Sequence, residues 1–291
     1  MNALVWLIPT FGALLLYGLG QGFVKKWISE VPPARFCLYF FAAKAIVNLG
    51  YFFTQAHPPP FADGMARYYW AGIIAYLMDG VGWILYFQSI IAGPITIVGT
   101  LSAAYPALVV LFARWFLGET LHGIQYLGVV LVIGGCIGLS YSPSDPTGKT
   151  IKKRWIPFAA AALLIWGIDQ TVVKWCYNHD VADPNMALYN TIGGAFSLGI
   201  YGFLYGRKGT HSSREWVKSF VPMGMMAGGD LAVIIASKVG PISLVNPISG
   251  AYPVVTLIFG ALVLREKISL FQYLQVVLIV VGLFLCAGLF N

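Results

Sequence analysis

Residues 93–135 read GPITIVGTLSAAYPALVVLFARWFLGETLHGIQYLGVVLVIGG, and residues 240–282 read GPISLVNPISGAYPVVTLIFGALVLREKISLFQYLQVVLIVVG. Laid on each other without a gap, the stretches share an opening Gly-Pro and a central Ala-Tyr-Pro. They then align Glu119 with Glu266 and Gln125-Tyr126-Leu127 with Gln272-Tyr273-Leu274. A register held over that distance is not chance, so the chain is two copies of one unit. The copying reaches the front of each half: YGLGQGFVKKW from Tyr17 answers WGIDQTVVKWC from Trp166, pairing Gly18, Gln21, Val24 and Lys25 with Gly167, Gln170, Val173 and Lys174.

What these copies are made of follows from composition. The 291 residues are 58% hydrophobic and only 10% charged, with a mean hydropathy of +0.77. An ordinary soluble domain carries about 25% charged residues. The apolar residues fall into runs of about 20, the length a helix needs to cross a hydrocarbon core. Runs such as VVLIVVGLFLCAGLF do not alternate, which argues against a transmembrane barrel. The pattern predicts an all-α membrane protein with ten spans at approximately 3–24, 36–54, 69–90, 95–116, 122–141, 156–174, 186–205, 220–238, 242–263 and 270–289. The first run lacks a basic leader and a cleavage motif, and reads as a permanent helix. Residues 1–141 and 156–291 are then two five-helix repeats joined by a linker at 142–155. Because five is odd, the second repeat enters from the opposite face, giving an inverted-topology pair.

The net charge of +7 orients the chain in its membrane and is not read as a sign of nucleic-acid binding, since no soluble basic domain exists to carry it. Thirteen of the 18 Lys and Arg fall in odd-numbered loops, four at even ones, and Lys44 lies inside a span. The positive-inside rule places the odd loops in the cytoplasm and both termini outside. Cys37, Cys136, Cys176 and Cys286 sit in or beside apolar runs without metal-ligand spacing, and His57, His122, His179 and His211 are scattered. Neither a metal site nor a catalytic dyad is indicated. Gly18, Gly20 and Gly22 lie inside a span and read as close helix packing rather than a phosphate loop.

Several residues stand out against this apolar background. A charge in the middle of a span is costly, about 2.5–3.5 kcal/mol on insertion scales, and is a functional hypothesis by default. Lys44, Asp79, Asp169 and Asp230 meet that description. Asp79, Trp83 and Tyr86 share one helical face, as do Lys44, Asn48 and Tyr51; Trp166, Gln170 and Val173 share another, with Asp169 at its edge. Polar tips and rings on one face suit a small amphiphile, and an interhelical hydrogen-bond seam is the alternative. Tyr105-Pro106 and Tyr252-Pro253 sit near mid-span, where proline strips the carbonyls of Ser102 and Ser249 of their donor. Pro247 beside Asn246 repeats the break in the second copy. Pro106, Pro247 and Pro253 are therefore expected hinges, and Gln21, Ser102, Tyr105, Asn246, Ser249 and Tyr252 expected lining residues.

With these residues in view, the chain resembles the EamA-type branch of the drug/metabolite transporter superfamily. The likeness is carried by the five-helix units, the aromatic-Gly before a Lys (Tyr17, Gly18, Lys25; Trp166, Gly167, Lys174), the Gly-Pro opening and the paired Glu119 and Glu266. It implies a central cavity lined mainly by the first, third, fourth, sixth, eighth and ninth helices, and substrates drawn from amino acids, sugars, amines, nucleotide sugars and drugs. It also implies cytoplasmic termini, against the charge count. The expectation is a secondary transporter in a bacterial or archaeal cytoplasmic membrane, acting as a monomer or a dimer, without a prosthetic group. It moves a small polar or amphiphilic metabolite by alternating access, with protons exchanging on Asp79, Asp169 and Asp230. An uncoupled facilitator or exchanger and a lipid-headgroup flippase are the alternatives; paired catalytic groups for an intramembrane enzyme are not visible.

Overall fold

The computed structural model describes residues 4–27, 31–92, 104–140, 155–207, 213–265 and 268–287. Ten helical spans follow one another among them: α1 (Leu4–Trp27), α2 (Pro33–Thr54), α3 (Ala66–Ala92), α4 (Tyr105–Phe116), α5 (Gly123–Ser140), α6 (Trp155–Tyr177), α7 (Asp183–Gly194, Ala195–Gly199 and Ile200–Gly206), α8 (Ser213–Val239), α9 (Ile242–Gly250 and Tyr252–Val263) and α10 (Leu270–Cys286). Local chemistry starts several of them. Proline occupies the first turn of α2 and of α7, where its missing N–H costs nothing, and Ser269 with Gln272 closes a capping box on α10. Spans α1, α2, α3, α6, α8 and α9 are long and apolar enough to cross a membrane, and α4, α5 and α10 are shorter apolar helices. Their outer faces carry residues such as Phe53 and Leu262, each 77% exposed. So much outward apolar surface suits lipid and not water.

Equivalent helices of the two copies lie antiparallel. Along α2 and α7, Gly206 meets Ala34 and Arg35, Gly202 meets Leu38, Gly199 meets Phe41, and at the far end Tyr51 donates a hydrogen bond to Asp183. Along α5 and α10, Gly128 packs on Gly282 and Gly138 on Gln275. The remaining contacts are reciprocal: α1 packs on α8 while α3 packs on α6, and α1 lies against α9 while α4 lies against α6. A pattern in which position i meets j and j meets i is that of a two-fold axis. Because partners run in opposite directions, that axis lies in the membrane plane.

The repeated Gly18 and Gly167 explain themselves in this packing. A Cβ on Gly18 would fall 2.3 Å from Val255 Cβ and 2.9 Å from the Tyr252 carbonyl oxygen, and one on Gly167 would fall 2.9 Å from Leu108 Cβ. Leu108 and Val255 occupy the same position in the two copies. Each copy's first helix thus needs glycine where it crosses the other copy's fourth.

Two details depart from smooth spans. The break in α9 falls at Ala251 (φ −74°, ψ 5°), just before Tyr252-Pro253, where Pro253 offers no N–H to the Ser249 carbonyl. The helix runs through Pro247, where Asn246 Nδ2 donates to the Ile242 carbonyl at 3.4 Å. The span expected at 186–205 contains a π-helical stretch, Ala195–Gly199. Pro106 lies in the first described turn of α4; Ser102 and the Gly93-Pro94 pair lie outside the described residues, as do Glu266 and His211.

Candidate substrate-binding site

The helices α1, α3, α4, α6, α8 and α9 enclose a cavity of about 780 Å³, its open mouth included. Its walls are aromatic: Trp83, Tyr86, Tyr105 and Trp166 form a connected cluster with ring centroids 5.3–6.0 Å apart, and Tyr17 and Tyr252 add a second pair at 5.9 Å. Gln21, Gln170 and Asn246 supply polar tips. Tyr105 from one copy reaches Asn246 Oδ1 of the other at 3.4 Å.

The floor of this cavity is charged. Lys44 Nζ stands 3.0 Å from Asp79 Oδ2 and 3.0 Å from Asp230 Oδ2, and Tyr17 donates to Asp230 Oδ1 at 2.6 Å. Two carboxyl groups share one ammonium, so with both ionised the cluster holds one negative charge in excess. Asp79 and Asp230 come from the third helix of each copy, 14 and 10 residues before the shared Gly-Pro. That difference is about one helical turn, so both acids fall on the equivalent face.

Beneath the floor lies a second cavity of about 320 Å³, lined by Lys44, Tyr76, Val173, Asn190, Ile234 and Ser237. Tyr17, Asp79, Gln170, Asp230 and Val233 line both. Helix by helix the order is consistent. On α3, Tyr76 faces the smaller space, Asp79 the boundary, and Trp83 and Tyr86 the larger. On α8, which runs the other way, Ser237, Asp230 and Met226 repeat that sequence. A charged layer therefore separates two cavities stacked through the depth of the protein.

Among the residues singled out in the sequence, Gln21, Asp79, Trp83, Tyr86, Tyr105, Trp166, Gln170, Asp230, Asn246 and Tyr252 line the larger cavity, and Lys44 lines the smaller one. Others do not come to the surface of either. Asp169 is 1% exposed and lies behind the wall. Asn48, beside Lys44 on α2, is fully buried with both polar atoms unpaired among the described residues. Ser249 spends its hydroxyl on the carbonyls of Val245 and Asn246. Tyr17, Asn190 and Ser237 line these cavities without being among the lining residues expected from the sequence. Tyr17 could have been, since it stands opposite Trp166 in the repeat; Asn190 and Ser237 give no sequence signal, being neutral polar residues of a kind common in spans.

Inverted five-helix copies wrapped around a polar chamber inside an apolar shell define a multi-pass membrane transporter of small solutes. The chain belongs to the EamA-like transporter family, which matches residues 4–141 and again 153–288. Members of this family carry solutes and are not enzymes. No curated protein matches the sequence. A solved structure described only as "Crystal structure of protein" superposes with a TM-score of 0.80 at 19% identity, covering 99% of each chain. That likeness shows a shared fold.

Proposed function

We propose that the substrate is a small amphiphilic amine or zwitterion, carried by alternating access and exchanged against protons at Asp79 and Asp230. The observation that carries this reading is the pairing of an aromatic cavity with a floor one cation short. Rings take the apolar body of such a molecule and attract its ammonium by cation–π interaction; the excess carboxylate charge takes either that ammonium or a proton. Two cations competing for one site give antiport without any further device, because binding of one requires release of the other.

A headgroup flippase is less well supported. Lys44 is held by two carboxylates, and Lys174 donates to the carbonyls of Ser237 at 2.9 Å and Gly240 at 2.7 Å. Neither is offered to a phosphate. Uptake into proteoliposomes tests the proposal. Arylalkyl amines should accumulate in proteoliposomes with an acidic interior, beyond the passive trapping seen in protein-free liposomes, as protons leave in exchange, and Asp79→Asn and Asp230→Asn should abolish that excess. Transport indifferent to pH gradients in both the wild type and these variants would reject proton exchange, and Asp169→Asn measured beside them reports whether the acid behind the wall takes part.

A further inference from the structure

Lys44 and a substrate reach the same carboxylates from opposite sides. Asp79 and Asp230 line both cavities, whereas Lys44 lines only the smaller. Its two contacts are not equal. Lys44 donates a well-formed hydrogen bond to Asp79 Oδ2, but its approach to Asp230 Oδ2, also 3.0 Å, lacks hydrogen-bond alignment and leaves that oxygen otherwise unpaired among the described residues. Asp79 belongs with Lys44 to the first copy, and Asp230 to the second. The Lys44–Asp230 contact is thus a tie between the two halves of the molecule, and the looser of the pair.

The smaller cavity also holds acceptors without donors. Asn190 Oδ1 and Ser237 Oγ line it beside Lys44, both residues are at least nine-tenths buried, and neither atom has a hydrogen-bond partner among the described residues. An ammonium on a flexible four-carbon stem carries three hydrogens. We propose that Lys44 is a tethered cation that occupies Asp230 in the ligand-free carrier and yields it to the substrate's ammonium, its released hydrogen turning to Asn190 and Ser237. Lys44 keeps its hydrogen bond to Asp79 while the amine is bound. The substrate then releases this one contact between the copies, while Tyr17 keeps its hydrogen bond to Asp230, and Lys44 sets how strongly a cation must compete for the site. This rests on the reading of the larger cavity as an amine site.

The test is binding of phenethylammonium to the purified full-length protein, followed by tryptophan fluorescence, since Trp83 and Trp166 line the cavity, with uncharged 2-phenylethanol as the control. Lys44→Met removes the competitor and should tighten phenethylammonium binding by about tenfold or more, the scale of a close charge pair. Asp79→Asn leaves Lys44 wholly on Asp230 and should weaken it. Ser237→Ala removes only a resting place for the displaced lysine, so it should weaken binding several-fold while the ligand-free protein keeps its thermal stability; Asn190→Leu should act the same way. A simple electrostatic field from Lys44 would leave Ser237→Ala and Asn190→Leu at wild-type affinity, and that result overturns the displacement. Unchanged affinity in Lys44→Met overturns it as well, even where Lys44→Met folds poorly and Lys44→Gln is used instead. Wild-type protein that binds neither phenethylammonium nor 2-phenylethanol rejects the amine site itself, and the tethered cation with it.

Discussion

At the scale of single residues, the site is built from groups whose removal has unequal consequences. Tyr17 gives its hydroxyl to Asp230 at 2.6 Å, so Tyr17→Phe leaves a carboxylate oxygen short of a donor. Hydrogen bonds between membrane helices average well under 1 kcal/mol, but a carboxylate acceptor raises the figure, and a loss of about 1–2 kcal/mol is expected. Thermal denaturation in detergent measures it; an unshifted midpoint would show that water replaces the tyrosine. The charged members of this site were legible in the sequence because a charge inside an apolar run is rare enough to need a reason. Placement was less legible. Asp169 was assigned to the cavity beside Trp166 and Gln170, yet adjacent helical positions are turned about 100° from each other, and that rotation carries it behind the wall that Gln170 lines. Periodicity gives a face, and only the neighbouring helices decide how wide a strip of it meets the cavity.

Among the elements, α9 shows how one helix is held and interrupted at once. Its N-terminus is capped from the other copy: Glu119, in the turn after α4, accepts hydrogen bonds from the backbone N–H groups of Ile242 and Ser243 and from the Ser243 hydroxyl. A carboxylate there satisfies orphan donors and faces the positive end of the helix dipole. Glu119→Ala is expected to cost about 1–2 kcal/mol in thermal stability, with Glu119→Gln retaining part of it through its amide oxygen. A Glu119→Gln variant as stable as the wild type would deny the charge a role. The glutamate was visible in the sequence as a repeated position, but its work was not, because the helix it caps belongs to the other copy. The π-helical stretch in α7 was hidden for a similar reason. Gly199 packs on Phe41, and Ser197 packs on Gly80 while donating to the Gly193 carbonyl; Phe41 and Gly80 belong to the other copy.

For the whole molecule, the reciprocal packing means that neither copy has a core of its own. α1 rests on α8 and α3 on α6, so each unit closes only around the other. Residues 1–147 expressed alone should be degraded, whereas co-expression with residues 148–291 should restore a stable and transporting protein; a first half that purifies folded and monomeric would contradict the packing described. Fold class and inversion were the most legible properties of all, since an odd number of helices per repeat settles the direction of the second copy before any contact is known. The antiparallel meeting of α2 with α7 and of α5 with α10 has a historical corollary. It is the handshake of a homodimer stitched into a single polypeptide, and an unstitched ancestor of half the length would have had to insert both ways up in the same bilayer for its subunits to meet.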